Sequence, residues 1–295
     1  MRRALLTLAL LGMGAGTAAA QPAKKLLIAI YAPNAPFASG TDQFTFIQRL
    51  AAQITSAAGA PAEGKSFARA SDFDAAIKAK QVDFAVIDGV YLAQRGVPYS
   101  VLAAGTTGGD TAPKWGLFTT APSIADLQGK KLSIASTGPR DEDFIGNALF
   151  DGELAVKKFF APGLNRAPNV ASAVEAVKLN KADAVFAPDS ESKGMKSVFD
   201  AGRIPNAAFC EVGSHDAALV GKVKAAVLSH GVQAAIDGWK ASDAGPYKAL
   251  AGRMGARTKR PVMAEPEVVK IDVDMLVPPV IEPQLPDLKN QYWNP

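Results

Sequence analysis

Residues 75–91, AAIKAKQVDFAVIDGVY, pass from a helical pattern into an apolar strand, and this transition decides the predicted fold class. Ser71 is placed to cap the helix, on which Phe73, Ala76 and Ile77 share one face. The run VDFAVI that follows is typical of a strand buried in a sheet. A helix followed at once by such a strand indicates an α/β domain.

The same kind of element surrounds this stretch on both sides. Upstream, KLLIAIY at 25–31 predicts a buried parallel strand, and a helix begins near Thr41 and ends at Gly59. Downstream, two further apolar strands are predicted at 99–104 and 115–119. The resulting β-α-β-α-β order is typical of a parallel sheet covered by helices.

The alternation of strands and helices begins again after residue 120. One helix–strand unit of the first half recurs 100 positions later in the chain. AIK at 76–78 before VDFA is echoed by AVK at 176–178 before ADAV, and the two strands end near Asp88 and Asp189. This echo favours two lobes built from the same α/β unit. The other elements predicted here are a helical turn at 123–127, strands at 131–135, 182–187 and around Phe209, and helices from Asp141 and at 171–179, 219–228, 232–239 and 247–254.

The N-terminus predicts export. Arg2 and Arg3 precede an apolar run at 4–11, and small residues ending in Ala18-Ala19-Ala20 complete the pattern of a secretory signal peptide. The apolar run is shorter than the roughly 20 residues that a membrane-spanning helix needs. We therefore expect cleavage before Gln21, a periplasmic location and no stable membrane insertion.

Composition excludes several classes of function. The chain has 295 residues and a formal net charge of +4, which falls by two when Arg2 and Arg3 are removed. The basic residues are scattered and aromatic residues are few, so no nucleic-acid-binding surface is indicated. Cys210 is the only cysteine, which rules out an intrachain disulfide, and we expect a buried, inert thiol.

Few side chains are available for catalysis. The histidines are His215 and His230, and a pairing of the lone cysteine with His215 lacks a third, orienting group. No phosphate-binding loop and no metal-ligand spacing occur in the sequence. The acids at 141–143 fit the first turn of a helix, where they complement the helix dipole. We expect a protein that is not an enzyme and uses neither cofactor nor metal.

One segment carries the most specific similarity to a known family. SIADLQGKK at 123–131 leads into a strand and then into the turn Ser136-Thr137-Gly138. With the strand end Tyr31-Ala32-Pro33 and the units at 75–91 and 173–189, this order resembles the phosphonate/phosphite-type substrate-binding proteins of ABC importers. The resemblance implies the type II periplasmic-binding-protein fold. In that α/β fold, two lobes, each a mostly parallel sheet flanked by helices, enclose a ligand cleft.

Strand ends supply the predicted ligand contacts. In open α/β sheets, ligands bind beyond the carboxyl ends of the strands. The resemblance implies the same cleft, with hydroxyl and amide groups at the turn of Ser136 and Thr137 holding a phosphonate-like anion. The residues predicted to contact the ligand are Tyr31, Asn34, Phe37, Asp88, Tyr91, Thr106, Ser136, Thr137, Asp189 and Ser190.

Acidic side chains leave the chemistry of the ligand open. The acids at 141–143 crowd the turn, and Asp88 and Asp189 add negative charge at the rim of the cleft. These charges oppose a phosphonate dianion, and Arg140 offsets them only in part. A neutral, amine-bearing or apolar ligand therefore stays an alternative. Asp88 equally fits a helix cap, and Tyr91 equally fits a core aromatic.

The predicted function is capture of a small ligand by closure of two lobes, followed by docking of the monomer on an inner-membrane ABC permease. A carrier for a neutral or lipid-like molecule, or a binding protein linked to a sensor kinase, stays as the alternative. The predicted division is a signal peptide at 1–20, a first lobe at 21–119 and 206–260, a second lobe at 120–205, crossing segments near 119–122 and 205–208, and a proline-rich tail at 261–295 with an edge strand at 269–273.

Overall fold

A computed structural model describes residues 25–161, 163–231 and 235–255. The predicted signal peptide, the proline-rich tail with its edge strand and the start of the helix predicted at 232–239 lie outside the described residues. The described chain forms two β-sheets with helices packed against them.

The first sheet is built on the apolar runs that open the chain. Its strands are β1 Leu26–Tyr31, β2 Ala62–Ser66, β3 Phe84–Ile87, β4 Ser100–Thr106, β10 Ala208–Glu211 and β11 Gly238–Ala241. They are arranged in the order β11-β4-β10-β3-β1-β2. Strands β1, β2 and β3 are parallel, whereas β10 and β11 are antiparallel to their neighbours.

The second sheet repeats this plan. Its strands are β5 Lys114–Thr119, β6 Leu132–Ala135, β7 Leu164–Ala167, β8 Ala184–Pro188 and β9 Lys196–Arg203. They are arranged in the order β7-β6-β8-β5-β9, with β6, β7 and β8 parallel and β5 antiparallel to both of its neighbours. The reversed strands β5 and β10 each enter a sheet directly from the other sheet, without a crossover helix.

Helices cover both sheets. Ser39 caps the first helix by accepting a hydrogen bond from Asp42 N, and Gly59 ends it in the left-handed conformation at φ 69°. None of the helices formed by the described residues has the length and apolar character to cross a membrane. The helices are α1 Gly40–Ala58, α2 Ala70–Lys78, α3 Gly89–Gln94, α4 Asp141–Asp143 continued by a π-helical segment Phe144–Leu149, α5 Val156–Phe159, α6 Val170–Lys178, α7 Ala217–Leu228 and α8 Gly245–Arg253.

The 100-residue echo in the sequence is a structural repeat. Helices α2 and α6 start and end 100 positions apart, and strands β3 and β8 start 100 positions apart. Lys80 and Asn180 both adopt φ 54° in the turn between helix and strand. Asp83 and Asp183 each accept a backbone hydrogen bond at 2.8 Å, from Leu27 N and Lys131 N respectively. The same turn chemistry therefore joins helix to strand in both halves of the chain.

Two predicted assignments are wrong. Residues 238–239 do not extend a helix, because Gly238 and Trp239 pair with Thr106 and Gly105 of β4. Strand β5 does not belong to the first sheet, because it pairs with β8 and β9. The chain therefore passes from the first sheet to the second at 107–113 rather than at 119–122, and it returns at 204–207.

Candidate functional site

The two segments that cross between the sheets are hydrogen-bonded to each other. Asn206 N donates to Thr111 O at 2.8 Å, and Ile204 N donates to Pro113 O at 3.2 Å. The Asn206 side-chain amide donates to the carbonyls of Gly105 and Asp110 at 3.2 and 3.0 Å. The crossing thus forms a defined joint beside which the carboxyl ends of β1, β3 and β6 meet.

Polar groups at these strand ends connect the two sheets directly. Tyr31, at the end of β1, donates its hydroxyl hydrogen bond to Thr137 O at 2.7 Å, and Ser136 O lies 3.3 Å from the same hydroxyl. Asn34 Nδ2 donates to Thr137 Oγ1 at 3.1 Å, and Val170 N donates to Pro33 O at 2.9 Å. The predicted strand-end residues of both halves therefore meet, and several of them bond to one another.

Asp88 lies at the centre of this cluster and is buried. It caps α3 by accepting from Val90 N at 2.9 Å and Tyr91 N at 3.3 Å, and it accepts from Asn34 N at 2.8 Å and Asn34 Nδ2 at 3.1 Å. Burial raises the pKa of the Asp88 carboxyl, and the hydrogen bonds from Asn34, Tyr91 and Val90 oppose that rise. Both carboxylate oxygens of Asp88 accept hydrogen bonds from other residues of the chain, as expected if Asp88 is a helix cap.

Tyr91 joins the same cluster through its ring and backbone. Its ring centroid lies 5.1 Å from that of Tyr31, edge to face, and 5.8 Å from that of Phe73. Its hydroxyl donates to Asp74, which also pairs with Arg95. Burial, followed by the hydrogen bond to Asp74, raises the pKa of the Tyr91 hydroxyl. The Tyr91 side chain is fully buried, and its hydroxyl contacts both Asp74 and Arg95.

The remaining predicted contacts lie in other surroundings. Phe37 packs in the core of the first sheet, with its ring 5.4 Å from Phe46. Thr106 Oγ1 donates to Asp237 at 2.5 Å, and its side chain is buried. Asp189 and Ser190 are exposed in a short turn after β8. As ligand contacts these residues stay predictions, and none of them has a hydrogen bond to the strand-end cluster among the contacts of the described chain.

The acids after the second-sheet turn have partners. Arg140 pairs with Asp143 at 2.9 Å, and Lys157 pairs with Glu142 at 3.0 Å. Asp141 is 1% exposed and pairs with Arg166 at 2.5 Å. Burial raises the pKa of the Asp141 carboxyl, while hydrogen bonds from Gln94 and Gly138 and the charge of Arg166 oppose the rise. The repulsion of an anion expected from these acids is therefore largely offset by neighbouring cations.

Among the described residues, two cavities adjoin the cluster, and the larger has room for an organic ligand. The first, lined by Asn34, Asp88, Trp115 and Asn206 among others, measures about 10 Å³, close to the space of one water molecule. The second measures about 580 Å³, within the range of small-molecule sites. We call it the arginine pocket; its polar and charged lining is Tyr31, Arg69, Ser71, Asp74, Arg95, Ser136 and Arg166.

The three arginines of this pocket are not among the ligand contacts predicted from the sequence. Arg69 pairs with Asp72 at 2.8 Å, Arg95 with Asp74, and Arg166 with Asp141. Their side chains remain 75, 37 and 40% exposed, so guanidinium N–H groups remain available to a ligand. The sequence offers an indication only for Arg95, which stands one helical turn after Tyr91, a predicted ligand contact. Arg69 follows the end of β2 and Arg166 lies within β7, and neither belongs to a recognisable motif.

Solved structures with the same fold include binding proteins of ABC transporters. The structure matches PhnD1 of Prochlorococcus marinus in complex with methylphosphonate, with a TM-score of 0.63 and 10% identity over 79% of this chain and 97% of that one. It matches the binding-protein component of a Pseudomonas aeruginosa ABC phosphonate transporter with a TM-score of 0.58 and 11% identity over 79 and 88% of the two chains. A Xanthomonas citri protein bound to ATP matches with a TM-score of 0.59 and 14% identity over 78 and 96%.

These likenesses establish the fold. The two-sheet α/β architecture predicted from the sequence, that of the type II periplasmic-binding proteins, is confirmed. No protein-family model matches the chain, and no curated protein sequence matches it significantly.

Proposed function

We propose that this chain is a periplasmic solute-binding protein that captures a small solute between its two sheets and delivers it to an ABC importer. One observation carries the proposal: a cavity of about 580 Å³ is lined on the side of the first sheet by Tyr31 and Arg95 and on the side of the second by Ser136 and Arg166. A solute in that cavity contacts both halves, and such contacts stabilise a closed arrangement.

The lining of the arginine pocket supports a solute that bears an anionic group. Guanidinium groups bind carboxylate, phosphate and phosphonate through charge-assisted hydrogen bonds, and Ser71 and Ser136 add polar groups at the wall. Solved proteins of the same fold have been captured with methylphosphonate and with ATP, both anions. The acidic partners of the arginines leave the pocket near neutral overall, which suits a ligand that also carries a donor or a positive charge.

The same lining argues against the lipid-like alternative. Three arginines and an aspartate line this cavity, and an apolar molecule would cover their exposed N–H groups and remove hydration that the existing ion pairs do not replace. We therefore favour an importer component over a carrier. The proposed movement is a rotation of the two lobes about the joint formed by 107–113 and 204–207.

Identification of the bound solute tests the proposal most directly. The mature protein is purified gently from the periplasm, and native mass spectrometry identifies any molecule it releases. We expect a polar solute with an anionic group, and cleavage of the chain before Gln21. A lipid would support the carrier alternative. Turnover of the released molecule by the protein would contradict the expectation that it is not an enzyme.

Substitution in the pocket locates the solute. We expect Arg95→Ala to weaken binding of the identified solute by at least about tenfold, because a charge-assisted contact is lost. The matched control is Arg49→Ala, an exposed arginine of α1 that does not line the pocket. Equal affinities for both variants in calorimetric titration would contradict this location.

A further inference from the structure

The carboxylate of Asp141 occupies a cluster of hydrogen-bond donors. Its Oδ1 accepts from Gly138 N at 2.9 Å, Gln94 Nε2 at 3.0 Å and Thr137 N at 3.3 Å. Its Oδ2 accepts from Arg166 at 2.5 Å. Two backbone amides, a side-chain amide and a guanidinium thus converge on one anionic group that is 1% exposed.

These donors come from both halves of the molecule. Thr137 and Gly138 belong to the turn after β6, and Arg166 belongs to β7 of the second sheet. Gln94 ends α3, which follows β3 of the first sheet. The carboxylate therefore does what a bound anion would do in this fold: it satisfies donors of both halves and holds them together.

Close packing seals the cluster. A β-carbon on Gly138 would lie 2.3 Å from Gln94 Oε1, so the turn and α3 are in tight contact at this point. Gln94 Oε1 also accepts from Arg140 N at 3.2 Å, which fixes the orientation of the side-chain amide. Because the Asp141 carboxylate already accepts from these donors, a second anion would have to displace it to reach them. Gly138 and Arg166 also line the arginine pocket, which gives access to the cluster once the carboxylate is removed.

We propose that Asp141 is a specificity-determining residue that acts as a built-in anion. It excludes small oxyanions such as inorganic phosphate from the donor cluster and leaves only the outward face of Arg166 to the solute. The anionic group of the solute then contacts the arginine pocket rather than the turn at Thr137 and Gly138. This inference rests on the proposed solute-binding function for its biological meaning, but the exclusion itself is a property of the donor cluster.

Removal of the carboxylate tests the proposal with inorganic phosphate as the probe. Wild-type protein, Asp141→Ala and the control Asp143→Ala are titrated with phosphate by calorimetry at constant ionic strength. Asp143 is matched because it is an acid of the same turn that pairs with Arg140 but does not contact the donor cluster. We expect Asp141→Ala to bind phosphate at least about tenfold more tightly than the other two proteins, since four vacated donors favour an anion.

Two results would overturn the proposal. One is a folded Asp141→Ala protein that binds phosphate no better than Asp143→Ala. The other is a wild-type protein that already binds phosphate as tightly as Asp141→Ala does. If Asp141→Ala does not fold in chloride buffer, its refolding yield in phosphate is compared with that in chloride. Rescue by phosphate supports the proposal, and an equal yield in both buffers contradicts it.

A second variant assigns any gained affinity to the cluster. Gln94→Ala combined with Asp141→Ala removes one of the donors, so we expect it to lose part of the phosphate affinity that Asp141→Ala gains. Unchanged affinity in the double variant would place the phosphate elsewhere and overturn the assignment. These outcomes are independent of the Arg95→Ala experiment, which tests solute capture in the protein with Asp141 intact. Failure of one proposal can therefore be told from failure of the other.

Discussion

Asp88 and Asp141 are two buried acids near the meeting point of the two sheets, and they differ in the origin of their donors. Asp88 accepts from Asn34, Val90 and Tyr91, all on the side of the first sheet. Asp141 accepts from its own turn and from Arg166, but also from Gln94 on α3. The first acid therefore fixes the local backbone of one half, whereas the second also joins the halves. A buried carboxylate in a cleft can thus be structural or can stand in for a ligand, and the donors tell which.

The largest expected effect is the loss of stability on replacing Asp88. Asp88→Ala leaves several buried N–H groups without an acceptor, so we expect a loss of about 3 kcal/mol in the free energy of unfolding, measured by urea denaturation. The control is Asp189→Ala at the end of the matching strand β8, an exposed residue for which we expect a change within about 0.5 kcal/mol. Similar losses for the two variants would contradict the structural role of Asp88.

A smaller effect separates contacts across the halves from contacts within one half. Tyr31→Phe removes the hydroxyl that donates to Thr137 O, and Tyr91→Phe removes the hydroxyl that donates to Asp74. We expect each variant to lose about 1 kcal/mol of stability, since each loses one hydrogen bond. In small-angle X-ray scattering of the protein without solute, only Tyr31→Phe should widen the distribution of the radius of gyration. An equal widening in Tyr91→Phe would show that the Tyr31 contact does not hold the halves together.

The smallest expected effect is on the pH dependence of stability. Burial raises the pKa of Asp88 and of Asp141, so each binds its proton at a higher pH in the folded chain than in the unfolded chain. Protonation at these sites therefore favours folding as the pH falls through the raised pKa, and this contribution is lost as the pH rises through it.

Asparagine variants isolate that contribution. We expect Asp88→Asn and Asp141→Asn each to lack part of the gain in unfolding free energy that wild-type protein shows as the pH falls from about 7 toward the ordinary pKa of an aspartate. Asp200→Asn is the contrasting variant, because Lys114 holds the pKa of Asp200 below its usual value. A steeper gain in the Asp88→Asn or Asp141→Asn protein than in wild type would reverse the assigned direction.

The sequence located the inner strands of both sheets and did not find the edges. The strands predicted from apolar runs, around β1, β3, β4, β5, β6, β8 and β10, are all interior to a sheet. The strands β2, β7 and β9 were not predicted, and β11 was interpreted as the end of a helix; in the sheets formed by the described residues these four are the edge strands. An edge strand such as AEGKS of β2 has exposed positions and carries no continuous apolar run, so its pairing depends on the neighbour that the fold supplies.

The candidate site shows the same division. The rule that ligands bind beyond strand ends identified Tyr31, Asn34, Asp88, Ser136 and Thr137, which the fold brings into one cluster. It did not identify the arginine pocket, because Arg69, Arg95 and Arg166 come from three elements with no common motif. The prediction from sequence also assigned the same role, repulsion of an anion, to all three acids at 141–143. In the structure Asp141 accepts from the donor cluster, whereas Asp143 pairs with Arg140 and Glu142 pairs with Lys157.

The amino-acid sequence by itself determined the α/β class, the repeated helix–strand unit and the buried strands, because these follow from local hydrophobic periodicity and turn chemistry. Only the tertiary structure decided which strands form the edges, where the chain crosses between the sheets and which acids are neutralised by arginine. Those features depend on groups far apart in the chain, such as Gln94, Asp141 and Arg166, whose donors and acceptors become partners only when both sheets have formed.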